Sequence, residues 1–160
     1  MTSPLIVRSA SGKDADVLGR LGALLVVEHH AFDPERFLAP LADLPQRYGE
    51  FLASQMLRPD KIVLAAELEG TVVGYAYGGV EGNDYMVLRG PAAEVYDLVV
   101  DPDHRRQGIG SKLLDAALHA LAKLGAPQAV LFTAAKNEGA QAMFARCGFR
   151  RTMIEMTREL

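Results

Sequence analysis

The stretch from Val95 to Ser111, VYDLVVDPDHRRQGIGS, constrains this chain more than any other. Its apolar, β-branched start from Val95 to Val100 reads as a strand, and Asp101-Pro102-Asp103 is a turn that a strand cannot cross. The Gly-punctuated basic segment that follows opens a long amphipathic run, so the order is strand, loop, helix. Unpaired N–H groups at a helix start carry partial positive charge, and Gly108 and Gly110 have no Cβ to hold an anion off the backbone. Arg105 and Arg106 add full charges beside them. Such a segment suits a phosphorylated ligand.

The rest of the chain reads as elements that surround this unit. Leu5-Ile6-Val7-Arg8 is a short strand, Ser11 or Asp14 caps the next helix, and Val17, Leu18, Leu21, Leu24 and Leu25 recur at helical spacing to about Glu28, with Glu28-His29-His30 closing it. Pro40 and Pro45 delay a second helix until near Leu44. Lys61 to Leu68 and Thr71 to Gly78 form a hairpin across Glu69-Gly70. Val73, Tyr75 and Tyr77 are expected on one of its faces, with Gly74, Ala76 and Gly78 on the other, where small residues admit a close neighbour. Gly79 to Gly90 reads as a loop. The helix after the basic segment buries Leu113, Leu114, Ala117, Leu118 and Leu121 and stops at Gly125-Ala126-Pro127. Gln128 to Thr133 is expected as a buried strand, Asn137 to Arg146 as a helix burying Ala140, Met143 and Phe144, and Arg150 to Arg158 as a last strand. The order β, α, α, β, β, β, α, β, α, β specifies an α/β domain with a mixed sheet.

At 160 residues, 49% hydrophobic and 23% charged, the chain has the length and composition of one globular domain, residues 1–160. A net charge of -3 argues against a broad nucleic-acid footprint and for one small anionic ligand at His104 to Arg106. The single cysteine, Cys147, permits no intrachain disulfide and reads as a small core residue, which indicates an intracellular chain. No apolar run approaches the roughly 20 residues that span a membrane, so a cytoplasmic protein without membrane contact is expected.

Val100-Asp101-Pro102, Arg105-x-x-Gly108-x-Gly110 and Ser111-Lys112-Leu113-Leu114 together resemble the acetyl-CoA signature of the GCN5-related N-acetyltransferase (GNAT) superfamily. Asn137-x-x-Ala140-x-x-x-Phe144-x-x-x-Gly148-Phe149 resembles its second motif. The resemblance implies a mostly antiparallel central sheet flanked by helices, in which the strand of Val95 to Val100 splays from that of Gln128 to Thr133 and acetyl-CoA lies between them. It implies that backbone groups of Leu98, Val99 and Val100 hold the pantetheine arm. Arg105, Arg106, Gln107, Gly108, Ile109, Gly110 and Ser111 would hold the pyrophosphate, and Asn137 and Phe144 would line the other side. Asn137 is equally an ordinary helix cap by residue type.

Acetyl transfer to an amine needs a neutral amine, although an alkylamine with pKa near 10.4 is protonated at neutral pH. A base therefore matters more than an acid, since a thiolate with pKa near 8.5 leaves tolerably unaided. Asp97, expected to face the thioester with Leu98 turned away, is one candidate base, its alternative being a structural carboxylate. Glu28 and His29 form another titratable group, and Tyr75 is a core residue whose hydroxyl can reach substrate. Glu155 reads as a solvated strand residue that can face the cleft. Phe144 stands where the family commonly carries a tyrosine that protonates the leaving sulfur, so the thiolate leaves unprotonated or through water, or Tyr75, Tyr77 or Tyr96 supplies the proton. The expected activity is N-acetylation of a primary amine on a small molecule or a protein, with a non-catalytic acyl-CoA-binding module as the alternative that Phe144 raises. A nucleotide-binding regulator ranks lower, because no Walker lysine follows Gly110 and no Gly-x-Gly-x-x-Gly is present. The single strand after Phe149 would leave a sheet edge that a homodimer covers.

Overall fold

In this computed structural model, residues 4–160 are described. Five strands lie side by side in sequence order: β1 (Ile6–Ser9), β2 (Lys61–Leu68), β3 (Thr71–Glu81), β4 (Ala92–Val100) and β5 (Ala129–Leu131). Neighbours are antiparallel except β4 and β5, which are parallel. Helices α1 (Ala15–Phe32) and α2 (Leu44–Gln55) pack on one face around Leu18, Leu21, Leu52, Tyr75 and Val99. Helix α3 (Ile109–Lys123) covers the other face through Leu113, Ala117 and Leu121, and α4 (Glu138–Arg146) joins it there through Phe144. The fold is a mixed α/β sandwich with a mostly antiparallel sheet, as the resemblance implies.

Glycine sets how closely these layers approach. A Cβ on Gly19 would lie 2.1 Å from the Pro45 carbonyl oxygen, and one on Gly22 would lie 2.3 Å from the Tyr48 ring, so α1 and α2 meet only because both positions lack side chains. On the opposite face, a Cβ on Gly74 or Gly78 would meet Leu113 or Leu121 at 3.1 and 3.2 Å, which identifies α3 as the close neighbour the hairpin admits. At the hairpin turn Glu69 and Gly70 both have positive φ, 52° and 78°, the backbone that matches strand twist in a two-residue loop.

Several expectations from the sequence are corrected. Helix α1 continues through His29 and His30 to Phe32, where the Asp33 N–H closes on the His29 carbonyl before Pro34. Strand β3 runs on to Glu81 because Gly79, Val80 and Glu81 pair with Glu94, Ala93 and Ala92, leaving a shorter loop over 82–91. Val73 does not share a face with Tyr75 and Tyr77: the register slips from Ala66↔Gly74 to Glu67↔Val72, Val73 is the extra residue, and it packs with Leu113 while Val72 joins the Tyr75 side. Strand β5 is only three residues long and half-buried, and Phe132 beyond it is 67% exposed. Ala140, Met143 and Phe144 are likewise half-buried. Residues 150–160 form no strand and are exposed throughout, so the last strand expected over Arg150 to Arg158 is not formed. Among the described residues, no helix is long and apolar enough to cross a membrane.

Candidate active site

Strand β4 pairs with β3 along its length, but with β5 only at Ala93, Glu94 and Val95. Beyond that point the two strands part, and from Tyr96 to Val100 one edge of β4 carries no strand. A narrow cleft of about 90 Å³ opens where they diverge, with Tyr96 and Leu98 on the β4 side and Phe132, Asn137 and Phe144 opposite. His29 and Leu25 of α1 close a third side. The backbone edge of β4 is thus open to a ligand that extends the sheet by one strand.

Past the end of β4 the chain turns through residues 101–108 into α3. Gly108 precedes the helix at φ 78°, and a Cβ there would meet nothing within 4 Å. The first helical bond runs from the Lys112 N–H to the Gly108 carbonyl, so the N–H groups of Ile109, Gly110 and Ser111 have no helical acceptor. These are the amides that the sequence reading assigns to an anion, and unpaired N–H groups at a helix start are able to bind one. Gly110 also has a packing role, because its Cβ would sit 3.2 Å from Met143 Sδ on α4. Ile109 points away and is core at 3% exposure. Arg106 and Gln107 lie exposed at the loop, Arg106 with φ 64°.

Arg105 is engaged within the protein. Its Nε donates to the Val100 carbonyl at 3.0 Å and its Nη2 to Glu28 Oε1 at 2.5 Å. The same contact accounts for Glu28, whose carboxylate ends on Arg105.

His29 lines the cleft together with Tyr96. Its Nδ1 lies 2.7 Å from the Leu25 carbonyl, which can only accept, so Nδ1 carries a proton and the neutral ring keeps its lone pair on Nε2. Phe32 and Phe37 meet the ring edge-on at 6.0 and 5.0 Å and hold its plane.

Asp97 and Leu98 are placed opposite to expectation: Leu98 lines the cleft, and Asp97 is 8% exposed beneath α1 and α2. The cause is a second register slip, from Tyr77↔Asp97 to Gly78↔Val95, which makes Tyr96 the extra residue and turns Asp97 toward Tyr75. Both Tyr48 Oη (2.7 Å) and Tyr75 Oη (2.8 Å) donate to Asp97 Oδ2. Burial pushes the Asp97 carboxyl above the ordinary aspartate range, while the two phenols and the nearby His29 oppose that rise. Burial, with Asp97's charge beside it, drives the Tyr75 phenol well above its usual value. Tyr75 is fully buried, with its hydroxyl on Asp97.

Neither of the other two candidate phenols is free. Tyr77 Oη donates to Gln55 at 3.0 Å, and Tyr96 Oη contacts Glu81 and receives Lys61 Nζ at 2.9 Å. Burial and Glu81 push Tyr96 up to about 12. Asn137 caps α4 by accepting the Ala140 N–H at 3.2 Å and also lines the cleft. Glu155 turns out to Arg36 and is 63% exposed. A larger cavity of about 380 Å³ lies under the 82–91 loop, lined by Glu81, Asp84, Arg89 and Glu94; the α3 amides do not line it.

Tyr48, Leu25 and Phe132 were not singled out from the sequence as site residues. Tyr48 carried one usable signal, a phenol on a helix face otherwise committed to core, which needs a partner for its hydroxyl.

The chain matches the Acetyltransferase (GNAT) family over residues 25–149. A mycothiol acetyltransferase of Clavibacter michiganensis subsp. michiganensis is 32% identical over 156 residues, 98% of this chain and 46% of that protein. Another, from Propionibacterium freudenreichii subsp. shermanii, is 33% identical over 131 residues, 81% of this chain and 39% of that protein. The chain thus spans less than half the length of these curated relatives. Among solved structures, a GCN5-related N-acetyltransferase from Ralstonia eutropha JMP134 superposes with a TM-score of 0.74 at 22% identity, covering 98% of this chain and 99% of that one. Aminoglycoside N-acetyltransferase AAC(6')-Iy, in complex with CoA, gives 0.75 at 17% identity, covering 100% and 97%. By sequence and by fold, the chain belongs to the GNAT acetyltransferase family.

Proposed function

We propose that the chain is an acetyl-CoA-dependent N-acetyltransferase that transfers directly to a primary amine of a small molecule or a protein. The observation that carries this reading is the open edge of β4 from Tyr96 to Val100, overlooked by His29 and followed one turn later in the chain by the uncapped amides of α3. The residues fit the donor: Gly108 leaves space at the cradle, and the cleft between Leu98 and Phe144 is narrow and apolar enough for a thin aliphatic arm. When bound, acetyl-CoA supplies an activated thioester.

In this reading the amides of Ile109, Gly110 and Ser111, with Arg106 and Gln107 beside them, bind the diphosphate. The backbone of Leu98, Val99 and Val100 orients the arm, and Asn137 and Phe144 exclude water on the other side. His29 Nε2 accepts the proton that the acceptor ammonium must lose, because His29 lines the cleft and, with Nδ1 fixed on Leu25, Nε2 is the nitrogen left to accept. Asp97, Tyr48 and Tyr75 form the buried support behind that wall. With the hydroxyls of Tyr75, Tyr77 and Tyr96 all engaged and Phe144 carrying none, the thiolate leaves unprotonated or through water.

The proposal takes residues 1–160 as one such domain, cytoplasmic and homodimeric. A second copy would cover the outer edge of β5, unpaired among the described residues, and the exposed Met153, Ile154 and Met156. A monomeric mass by light scattering at micromolar concentration overturns the dimer. The activity is tested by incubating the protein with acetyl-CoA and a panel of primary amines while following free thiol. Amine-dependent thiol release is expected; CoA binding without release above background would instead identify an acyl-CoA-binding module.

A further inference from the structure

Arg105 belongs to the signature segment, yet its side chain does not turn toward the α3 amides. Its guanidinium folds back over the end of β4, with Nε on the Val100 carbonyl at 3.0 Å, and reaches across 77 residues of sequence to Glu28 of α1 at 2.5 Å. A planar guanidinium anchored at Nε has its Nη2 direction fixed, so the strand end dictates where Glu28 sits. The charge facing Glu28 is also already neutralised, which weakens its pull on a second anion.

His29 follows Glu28 directly, in the last turn of α1, where helices fray and where Asp33 and Pro34 end this one. Two constraints then locate His29 Nε2. The bond from Nδ1 to Leu25 fixes the ring on the helix, and the bond from Glu28 to Arg105 fixes the helix on the strand that borders the cleft.

We propose that Arg105 is a positioning residue that ties the C-terminal turn of α1, and with it His29, to the end of β4, and is not a ligand of the diphosphate. This rests on the acetyltransferase reading above for its catalytic consequence but not for its geometry. Both partners are more than a third exposed, so the pair adds little to stability and its variants fold.

The test uses Glu28→Ala, Arg105→Ala and the double variant of the full chain. Calorimetry with CoA is expected to give dissociation constants within about two-fold of the parent. Thiol release, with the amine that turns over fastest in the panel, is expected to show kcat lowered by about ten-fold at an unchanged KM for acetyl-CoA, because displacing a reacting group by a fraction of an ångström is costly. The double variant is expected to be no slower than either single one, since each already breaks the tie. Amide hydrogen exchange from Val26 to Phe32 is expected to accelerate in all three. A Kd for CoA raised ten-fold or more in Arg105→Ala, a kcat unchanged in Glu28→Ala, or unchanged exchange in α1 overturns the proposal. Should the parent bind CoA and acetylate nothing, the functional reading fails, while the exchange measurement still decides whether Arg105 holds α1.

Discussion

Replacing Asp97 by alanine removes the one acceptor that Tyr48 and Tyr75 share, 2.7 and 2.8 Å away. Each buried hydroxyl left without an acceptor costs about 1–3 kcal/mol. Part of that loss is offset, because the variant no longer holds a carboxylate whose ionisation burial opposes. The net expectation is about 2–4 kcal/mol lost, or roughly 5–15 °C in Tm for a domain of this size. Urea unfolding measures it as a lower midpoint at unchanged slope. Tyr75→Phe in the alanine background should recover about 1 kcal/mol, since it deletes one of the orphaned donors. The dependence on pH has a definite sign. Because Asp97 binds its proton more tightly folded than unfolded, the parent loses stability as pH rises from the ordinary aspartate value through the raised folded one. Asp97→Asn has no such loss, so its deficit relative to the parent is largest in acid and shrinks toward neutrality. Turnover of Asp97→Asn should stay within about ten-fold of the parent if the carboxylate supports the wall rather than taking the proton. A stable Asp97→Ala, a deficit that widens with pH, or an Asp97→Asn that folds normally but is inert would refute this reasoning.

Other perturbations probe different parts of the account. Gly108→Ala should cost about 1 kcal/mol of stability for a side chain in the left-handed region and retain CoA, whereas Gly108→Glu adds bulk and negative charge at the cradle and should abolish binding in calorimetry with an unchanged circular dichroism spectrum. His29→Ala should lower kcat by about 10²–10⁴ and remove a limb of its pH profile while leaving the CoA dissociation constant alone. Arg8 donates to both Asp14 and Glu67 and holds the Asp14 carboxyl below its usual range, so Arg8→Ala should cost about 1 kcal/mol at neutral pH, the guanidinium being 35% exposed. That stability is present above the ordinary aspartate value and is lost as pH falls through the lowered one, so the difference in urea midpoint should vanish in acid.

Elements specified by local chemistry were readable in advance. Pro40 and Pro45 delay α2 until Leu44, Glu69-Gly70 folds the hairpin between the expected strands, and the Gly108 turn opens α3 after a strand ending at Val100. What escaped the sequence depends on partners distant along the chain. Period-two alternation assigns faces only while pairing stays in register, and Val73 and Tyr96 each insert a residue that reverses the face beyond it. This is why Asp97 read as a cleft residue and Leu98 as turned away from the cleft. The Tyr48 to Asp97 bond spans 49 residues, and the turn of Arg105 toward Glu28 spans 77; neither leaves a local trace. Residues 150–158 alternate as a strand would, yet a strand forms only when it pairs with an edge, and these residues pair with none.

The central claim is that bare amides at the start of α3 and the free edge of β4 together hold one coenzyme A molecule. A crystal structure with CoA bound tests it most directly. The account predicts diphosphate oxygens on the N–H groups of Ile109, Gly110 and Ser111, and the pantetheine arm hydrogen-bonded along Leu98 to Val100 with its sulfur near His29. A ligand lodged in the cavity beneath the 82–91 loop, or a cleft that stays closed between Leu98 and Phe144 at saturating CoA, would contradict it.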